Sequence, residues 1–179
     1  RGMRCSVIRY GNIWRSHGSV MDLWEAGATQ GHDLPITDPA MTRFILTLPE
    51  ACRHIADALD LMEGGEIFVP SSLPAMRLQD LGQAVIATYA TAPCRLVPIG
   101  LRPGGEKLHE RMLSDDEPKR AHKTKAFLVI RPSHRTWTNE PYHDESHPLL
   151  PVFRYESDGA PFLSREQLTR LLKEERPEA

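Results

Sequence analysis

Apolar residues recur along this chain at two periods, and the alternation between them predicts an order of strands and helices. Residues 4–10 (RCSVIRY) are β-rich and run into Gly11-Asn12, a turn signal. Residues 19–28 predict a helix capped by Ser19, with Val20, Leu23 and Trp24 on one face. Short extended pieces follow at 34–37 and 43–46. Residues 48–62 carry the clearest helical pattern, with Cys52, Ile55, Ala56, Leu59 and Met62 on one face. Thr47 and Glu50 open it as a capping box, Pro49 is tolerated in the first turn, and Gly64-Gly65 stop it. A strand is expected at 66–69. A second helix spans 77–89 on the stripe Leu78, Leu81, Val85, Tyr89, with a strand at 95–99 behind it. A short helix at 106–113, a strand at 126–130, a long loop at 131–151 and a last strand at 152–155 complete the middle of the chain. Ser164 and Gln167 form a second capping box before Leu168, Leu171 and Leu172. Strands alternating with helices argue an α/β fold. No internal repeat or low-complexity tract is present.

Composition narrows the classes. Hydrophobic residues make up 40% and charged residues 26% of 179 residues, which excludes a disordered or fibrous chain. Lys plus Arg number 22 against 24 Asp plus Glu, so no basic excess points to nucleic acid. No apolar run reaches the ~18 residues that a membrane-spanning helix needs. Cys5, Cys52 and Cys94 are odd in number and far apart, with no CxxC pair. They suit small buried thiols in a reduced, cytoplasmic chain better than a disulfide framework or a zinc site. The chain starts at Arg1, and Met3 sits inside what reads as a strand, so a fragment of a longer protein is expected.

Few motifs carry chemistry on their own. The run from Gly100 to Lys107 (GLRPGGEK) is no P-loop, because no Gly-Lys-Ser/Thr closes it. It reads equally as a solvated turn or as a place where the planar Arg102 fork grips a diphosphate. Arg43 stands between apolar neighbours, as a surface Arg or as an anion ligand. Gly11-Asn12 fits either a plain turn or a ligand site beyond a strand end. His143, Asp144 and His147 cannot share a helix face between Pro141 and Pro148, so no metal site is expected. Ser16-His17 lacks a GxSxG elbow, and neither GxGxxG nor Tyr-x-x-x-Lys occurs anywhere.

Taken in order, five segments resemble a known group: VIRYGN at 7–12, SHGSV at 16–20, LPITDPAMTRF at 34–44, GEIFVP at 65–70 and IGLRPGGEKLHE at 99–110. They are similar to the carboxyl-terminal half of nucleotide-sugar dehydratases, above all the inverting UDP-N-acetylglucosamine 4,6-dehydratase group of polysaccharide biosynthesis. A related 5,6-dehydratase of nucleoside-antibiotic pathways is also similar. The tail at 155–158 and 162–164 resembles the same family. The resemblance implies an extended short-chain dehydrogenase/reductase of Rossmann type, represented here mainly by its substrate-binding subdomain. It divides the chain into the end of the Rossmann-type core at 1–30, a nucleotide-sugar-binding subdomain at 31–130, and a loop with a helical tail at 131–179.

The resemblance also implies a chemistry: oxidation at the sugar C4 hydroxyl, loss of water and return of the hydride, with NAD or NADP held mainly by an amino-terminal Rossmann half. The family's catalytic Tyr/Lys pair and Gly-rich loop lie upstream of the segment matching 4–10, so no catalytic residue is assigned here. Substrate contacts carry over to Asn12, Ser19, Thr37, Met41, Arg43, Arg102 and Glu106, and a cofactor contact to Ile13. An extra Gly puts Glu106 four residues after Arg102, where the family has three, and Trp14 and Trp24 stand where smaller or different apolar residues are common. The expected partners are a UDP-sugar, the amino-terminal Rossmann half and further copies in a homo-oligomer, with neither nucleic acid nor membrane. Two other readings stay open: a non-catalytic nucleotide-sugar-binding module, and an epimerase or reductase of the same superfamily.

Overall fold

The computed structural model describes residues 3–104, 106–132, 151 and 153–174. Contacts divide the chain into two compact units. The expected loop at 131–151, its histidines and the start of the strand at 152–155 lie largely outside the described residues.

Described residues within Arg1–Gly11, Leu46–Leu73 and Arg111–Glu156 make up the first unit. Its sheet has the order β1-β5-β9-β8, built from β1 (Val7–Ile8), β5 (Ile67–Pro70), β8 (Ala121–Lys123) and β9 (Phe127–Ile130). β1 runs parallel to β5, while β5/β9 and β9/β8 are antiparallel. The helix α2 (Leu48–Leu61) starts as the sequence predicts. The Thr47 N–H donates to Glu50 Oε2 at 2.7 Å and the Glu50 N–H donates to Thr47 Oγ1 at 3.4 Å. Gly64 and Gly65, at φ 118° and 85°, turn the chain after the helix in a region that L side chains avoid. Thr47→Ala is expected to lower stability by roughly 0.5–2 kcal/mol, read as a shifted denaturant midpoint with an unchanged slope.

The buried face of α2 differs from the predicted one. Ala51 and Ala58 are buried, and Ala58 packs with Phe68, Phe127 and Val129. Cys52 is exposed, and Leu59 stands 63% exposed. The apolar stripe is real, but the sheet takes up the small residues on the neighbouring face, where aromatic rings need the room. Cys5 is exposed as well and Cys94 half-buried, which corrects the expectation of buried thiols. Cys5 lies at the surface just before the short strand β1.

Described residues within Asn12–Ile45, Pro74–Glu110 and Ser157–Ala179 make up the second unit. One sheet joins β2 (Asn12–Ile13), β4 (Thr42–Leu46) and β6 (Ala75–Arg77), with β4 antiparallel to β6. A second pairs β3 (Leu34–Ile36) in parallel with β7 (Leu96–Pro98). Around them pack α1 (Val20–Thr29), α3 (Leu78–Tyr89) and α4 (Arg165–Glu174). Their shared core includes Trp24, Leu34, Leu81, Val85, Leu168 and Leu172. The α4 capping box forms, with the Gln167 N–H donating to Ser164 Oγ at 3.2 Å and the Ser164 N–H to Gln167 Oε1 at 2.8 Å.

Four expectations change here. Asn12 begins a strand where a turn was expected. In α1 the buried residues are Met21, Trp24 and Ala28, with Leu23 exposed, so the inward stripe is rotated by about one residue. Ser19 takes the cap position but its side chain makes no capping bond; Asp22 Oδ2 instead accepts from the Gly18 N–H at 3.1 Å. No helix forms at 106–113. Backbone groups there serve long-range partners: Leu108 C=O accepts from the Thr42 N–H, and Met112 N–H donates to Tyr155 C=O. A helix would have needed both for its own turns.

A candidate nucleotide-sugar site

Within the second unit a cavity of ≈ 360 Å³ collects residues that are far apart in sequence. β2 and the loop after it bring Asn12, Ile13 and Ser19. The chain between β3 and β4 brings Thr37 and Met41, and β4 itself brings Arg43. The loop after β7 brings Arg102 and Glu106. All eight residues singled out by the resemblance therefore line one wall or another of a single cavity.

Two cations face this space in different ways. Arg43 is held by its surroundings. Its Nη1 donates to Thr42 C=O at 2.7 Å and to Leu108 C=O at 3.2 Å, and its Nε lies 3.9 Å from Glu110 Oε1. Glu110 in turn accepts from the Phe44 N–H at 2.8 Å. Burial pushes the Glu110 carboxyl above its ordinary range, against the opposing pull of the Phe44 N–H and of Arg43. Arg102 is mostly exposed, and Glu106 holds it. Its Nη2 donates to Oε1 at 3.0 Å, and its main-chain N–H donates to Oε2 at 3.0 Å. The extra Gly before Glu106 therefore does not break this pair; the turn closes around it.

The Arg102 side chain, its main-chain N–H and the charge of Arg43 together hold the Glu106 carboxyl down at about 2. A depressed carboxyl pKa stabilises the fold fully above the ordinary value near 4.5, and that contribution fades as pH falls toward 2. We expect the side-chain carboxyl carbon of Glu106 to titrate with a midpoint near 2 by NMR, and the Arg102 pair to persist unchanged from pH 7 to 5. A midpoint near 4.5 would mean that the two side chains do not hold each other in solution.

Other groups shape the site without an obvious sequence signal. Thr42 Oγ1 lies 2.6 Å from Ser157 Oγ and 2.8 Å from His109 Nδ1, and Ser157 Oγ also accepts from the Glu110 N–H at 2.9 Å. This fully buried serine ties the tail at 157 to the strand that carries Arg43. Arg15 adopts a left-handed backbone, φ 53°. Its Nη2 donates to Tyr89 Oη at 3.0 Å and to Leu172 C=O at 3.2 Å, and lies 2.8 Å from Glu25 Oε1. One side chain thus ties the loop between β2 and α1 to all three helices of the unit. Among the described residues no group of three His, Cys, Asp or Glu side chains could hold a metal ion, and no helix is long and apolar enough to cross a membrane.

Of the cofactor contacts that the resemblance implies, Ile13 alone stands in this chain. An apolar side chain at a cavity wall can pack against a ring but cannot cradle a pyrophosphate, and no GxGxxG turn occurs in the sequence to do so. The residues described here do not by themselves fit a dinucleotide.

Comparison with known proteins gives the family. An inverting UDP-N-acetylglucosamine 4,6-dehydratase of Campylobacter jejuni is 32% identical over 171 residues, 92% of this chain and 49% of its own length. A UDP-glucose 4-epimerase of Rickettsia bellii is 30% identical over 93% of this chain and 48% of its own. An uncharacterized membrane protein of Methanocaldococcus jannaschii is 31% identical over 94% of this chain and 49% of its own. The X-ray structure of Pen from Bacillus thuringiensis superimposes with a TM-score of 0.78 at 28% identity, covering 94% of this chain and 48% of that one. The chain thus spans about half the length of the relatives it matches. The family model described as polysaccharide biosynthesis protein matches residues 1–132. With an α/β fold and a cavity lined from the matching motifs, this chain belongs to the polysaccharide biosynthesis protein family of extended short-chain dehydrogenases/reductases.

Proposed function

We propose that this chain is the nucleotide-sugar-binding half of a UDP-sugar dehydratase of the 4,6- or 5,6-eliminating type, acting in the synthesis of polysaccharides, glycans or nucleoside-antibiotic sugars. The observation that supports this most is the convergence of Arg43 and Arg102, from separate segments, on one cavity with Asn12 and Ser19. A diphosphate wants fixed guanidinium donors, and a ribose diol wants a carboxylate acceptor. In this reading Arg43 and Arg102 take the diphosphate. Glu106 keeps lone pairs for the ribose hydroxyls while holding Arg102. Asn12 and Ser19 contact the sugar, with Thr37 and Met41 beside them. Ile13 packs against the nicotinamide cofactor, NAD or NADP.

That cofactor supplies reversible hydride acceptance at the sugar C4. It and the acid–base pair belong, in this proposal, to an amino-terminal Rossmann half, and the assembled protein is a cytoplasmic homo-oligomer. What this chain's own residues do is bind and orient the substrate. The match to a UDP-glucose 4-epimerase favours a second reading, in which the same site serves an epimerase.

Titration calorimetry of the complete protein with UDP-sugars tests the binding claim, and product analysis separates the two reactions. A 4-keto-6-deoxy or 5,6-ene product supports the dehydratase, whereas a C4-inverted sugar of unchanged mass supports the epimerase. Absence of any UDP-sugar binding overturns both.

A further inference from the structure

Arg43 and Arg102 can share one diphosphate only if the segments that carry them keep a fixed spacing. Arg102 belongs to a stretch, Ile99 to Asp116, in which no helix or strand forms among the described residues. A chain without a ladder of its own takes its place from individual bonds to other segments. Here those bonds fall on β4, on both sides of Arg43. The Thr42 N–H donates to Leu108 C=O at 3.0 Å, and the Phe44 N–H donates to Glu110 Oε2 at 2.8 Å. Residues 42 and 44 are alternate positions of a strand, so their N–H groups point to the same edge. At one step of that edge a main-chain carbonyl accepts, and at the next a carboxylate takes the carbonyl's place. Glu110 is itself fixed from behind, because its N–H donates to the Oγ of the fully buried Ser157 at 2.9 Å. Its other oxygen, Oε1, lies 3.9 Å from Arg43 Nε, too far for a hydrogen bond. A negative charge beside a cation of an anion site subtracts from affinity, so charge does not account for a carboxylate at this position. Its place on the strand edge does.

We infer that Glu110 is a positioning residue: by accepting the Phe44 N–H it clasps the Arg102 segment to the Arg43 strand, and so sets the spacing at which two guanidiniums meet one diphosphate. This rests on the nucleotide-sugar reading above and adds a residue to which the resemblance assigns no role. Arg43, Arg102 and Glu106 line the cavity and Glu110 does not, so it acts through them and not on the ligand. Ligand dependence separates this role from simple packing. A diphosphate engages both cations at once and gains only when their spacing fits, whereas a single phosphate needs one of them.

The test titrates the complete protein by calorimetry with UDP and with UMP, as wild type, Glu110→Ala and Glu110→Gln. Glu110→Ala removes the clasp and is expected to bind UDP about tenfold more weakly, with UMP within about threefold of the wild type. Glu110→Gln keeps an acceptor for the Phe44 N–H and loses the charge, so UDP should bind as in the wild type or slightly tighter. Equal losses for UDP and UMP in Glu110→Ala overturn the inference, since a general defect in the fold does not choose between them. So does a Glu110→Gln variant as weak for UDP as Glu110→Ala, or a Glu110→Ala variant that binds UDP as the wild type does.

If Glu110→Ala does not fold, the wild type still decides. Coupling is reciprocal, so a clasp that favours UDP must itself be tightened by UDP. Exchange of the Phe44 amide hydrogen should slow more with saturating UDP than with saturating UMP. Equal exchange with the two ligands overturns the inference while the nucleotide-sugar reading stands. Binding of neither ligand overturns both.

Discussion

Arg43→Ala and Arg102→Ala are each expected to weaken UDP-sugar binding about ten- to a hundredfold, the equivalent of about 1.5–3 kcal/mol for a hydrogen bond to a charged group. The two losses should differ in kind. Arg43 sits on a strand, its guanidinium fixed by two carbonyl oxygens and faced by Glu110, so its direction is set before any ligand arrives. Removing it frees those carbonyls and leaves the half-buried Glu110 carboxylate without its nearest cation, so Arg43→Ala should also lower the melting temperature. Arg102 is exposed and held only through its turn, so Arg102→Ala should leave the melt nearly unchanged while affinity falls. Arg102→Lys should recover part of the affinity, because an ammonium restores the charge but not the two-pronged contact. Calorimetric dissociation constants and thermal melts of the complete protein carrying each variant decide this. If both Ala variants bind UDP-sugar like the wild type, the two guanidiniums do not serve the diphosphate.

Local chemistry made some of this legible in the sequence. Capping boxes are short-range, so Thr47/Glu50 and Ser164/Gln167 could be read directly and both formed. Periodicity found α3 and its stripe. It could not tell which side of α2 the sheet would cover, because a stripe reports amphipathicity and not the partner: Ala51 and Ala58 face in while Leu59 faces out. The predicted helix at 106–113 failed for a related reason. Its backbone groups are claimed by residues tens of positions away, Thr42 and Tyr155, and no window of sequence contains that competition.

The candidate site divides along the same line. Arg43, Arg102 and Asn12 sit in motifs and could be picked out by resemblance. Ser157 is a small polar residue in a tail, and Arg15 an ordinary cation. Their importance lies in bonds to Thr42, Tyr89 and Leu172 that only the fold brings within reach. The loop that carries Trp14 and Ser19 keeps its shape only if those distant anchors hold, and they hold only if the core beneath them is intact.

Trp24→Ala should show how much the site depends on that core. Trp24 is fully buried at the centre of the second unit, packed with Leu34, Leu81 and Leu168, and its indole N–H donates to Pro35 C=O. Truncation removes most of a large apolar side chain and opens a cavity that α1, α3 and α4 cannot all close. The expected cost is about 3–5 kcal/mol, toward the upper end because the Pro35 carbonyl also loses its donor. Trp24→Phe fills much of the space but not the hydrogen bond, so it should cost about 1–3 kcal/mol. Denaturant melts of both variants measure the two terms separately. UDP-sugar affinity should fall in step with stability for Trp24→Ala, since β3 and α1 hold Thr37 and Ser19 from either end of this packing, and should stay near wild type for Trp24→Phe. A Trp24→Ala variant within about 1 kcal/mol of wild type would mean that the second unit does not depend on this side chain, and that the loop facing the cavity is held from elsewhere.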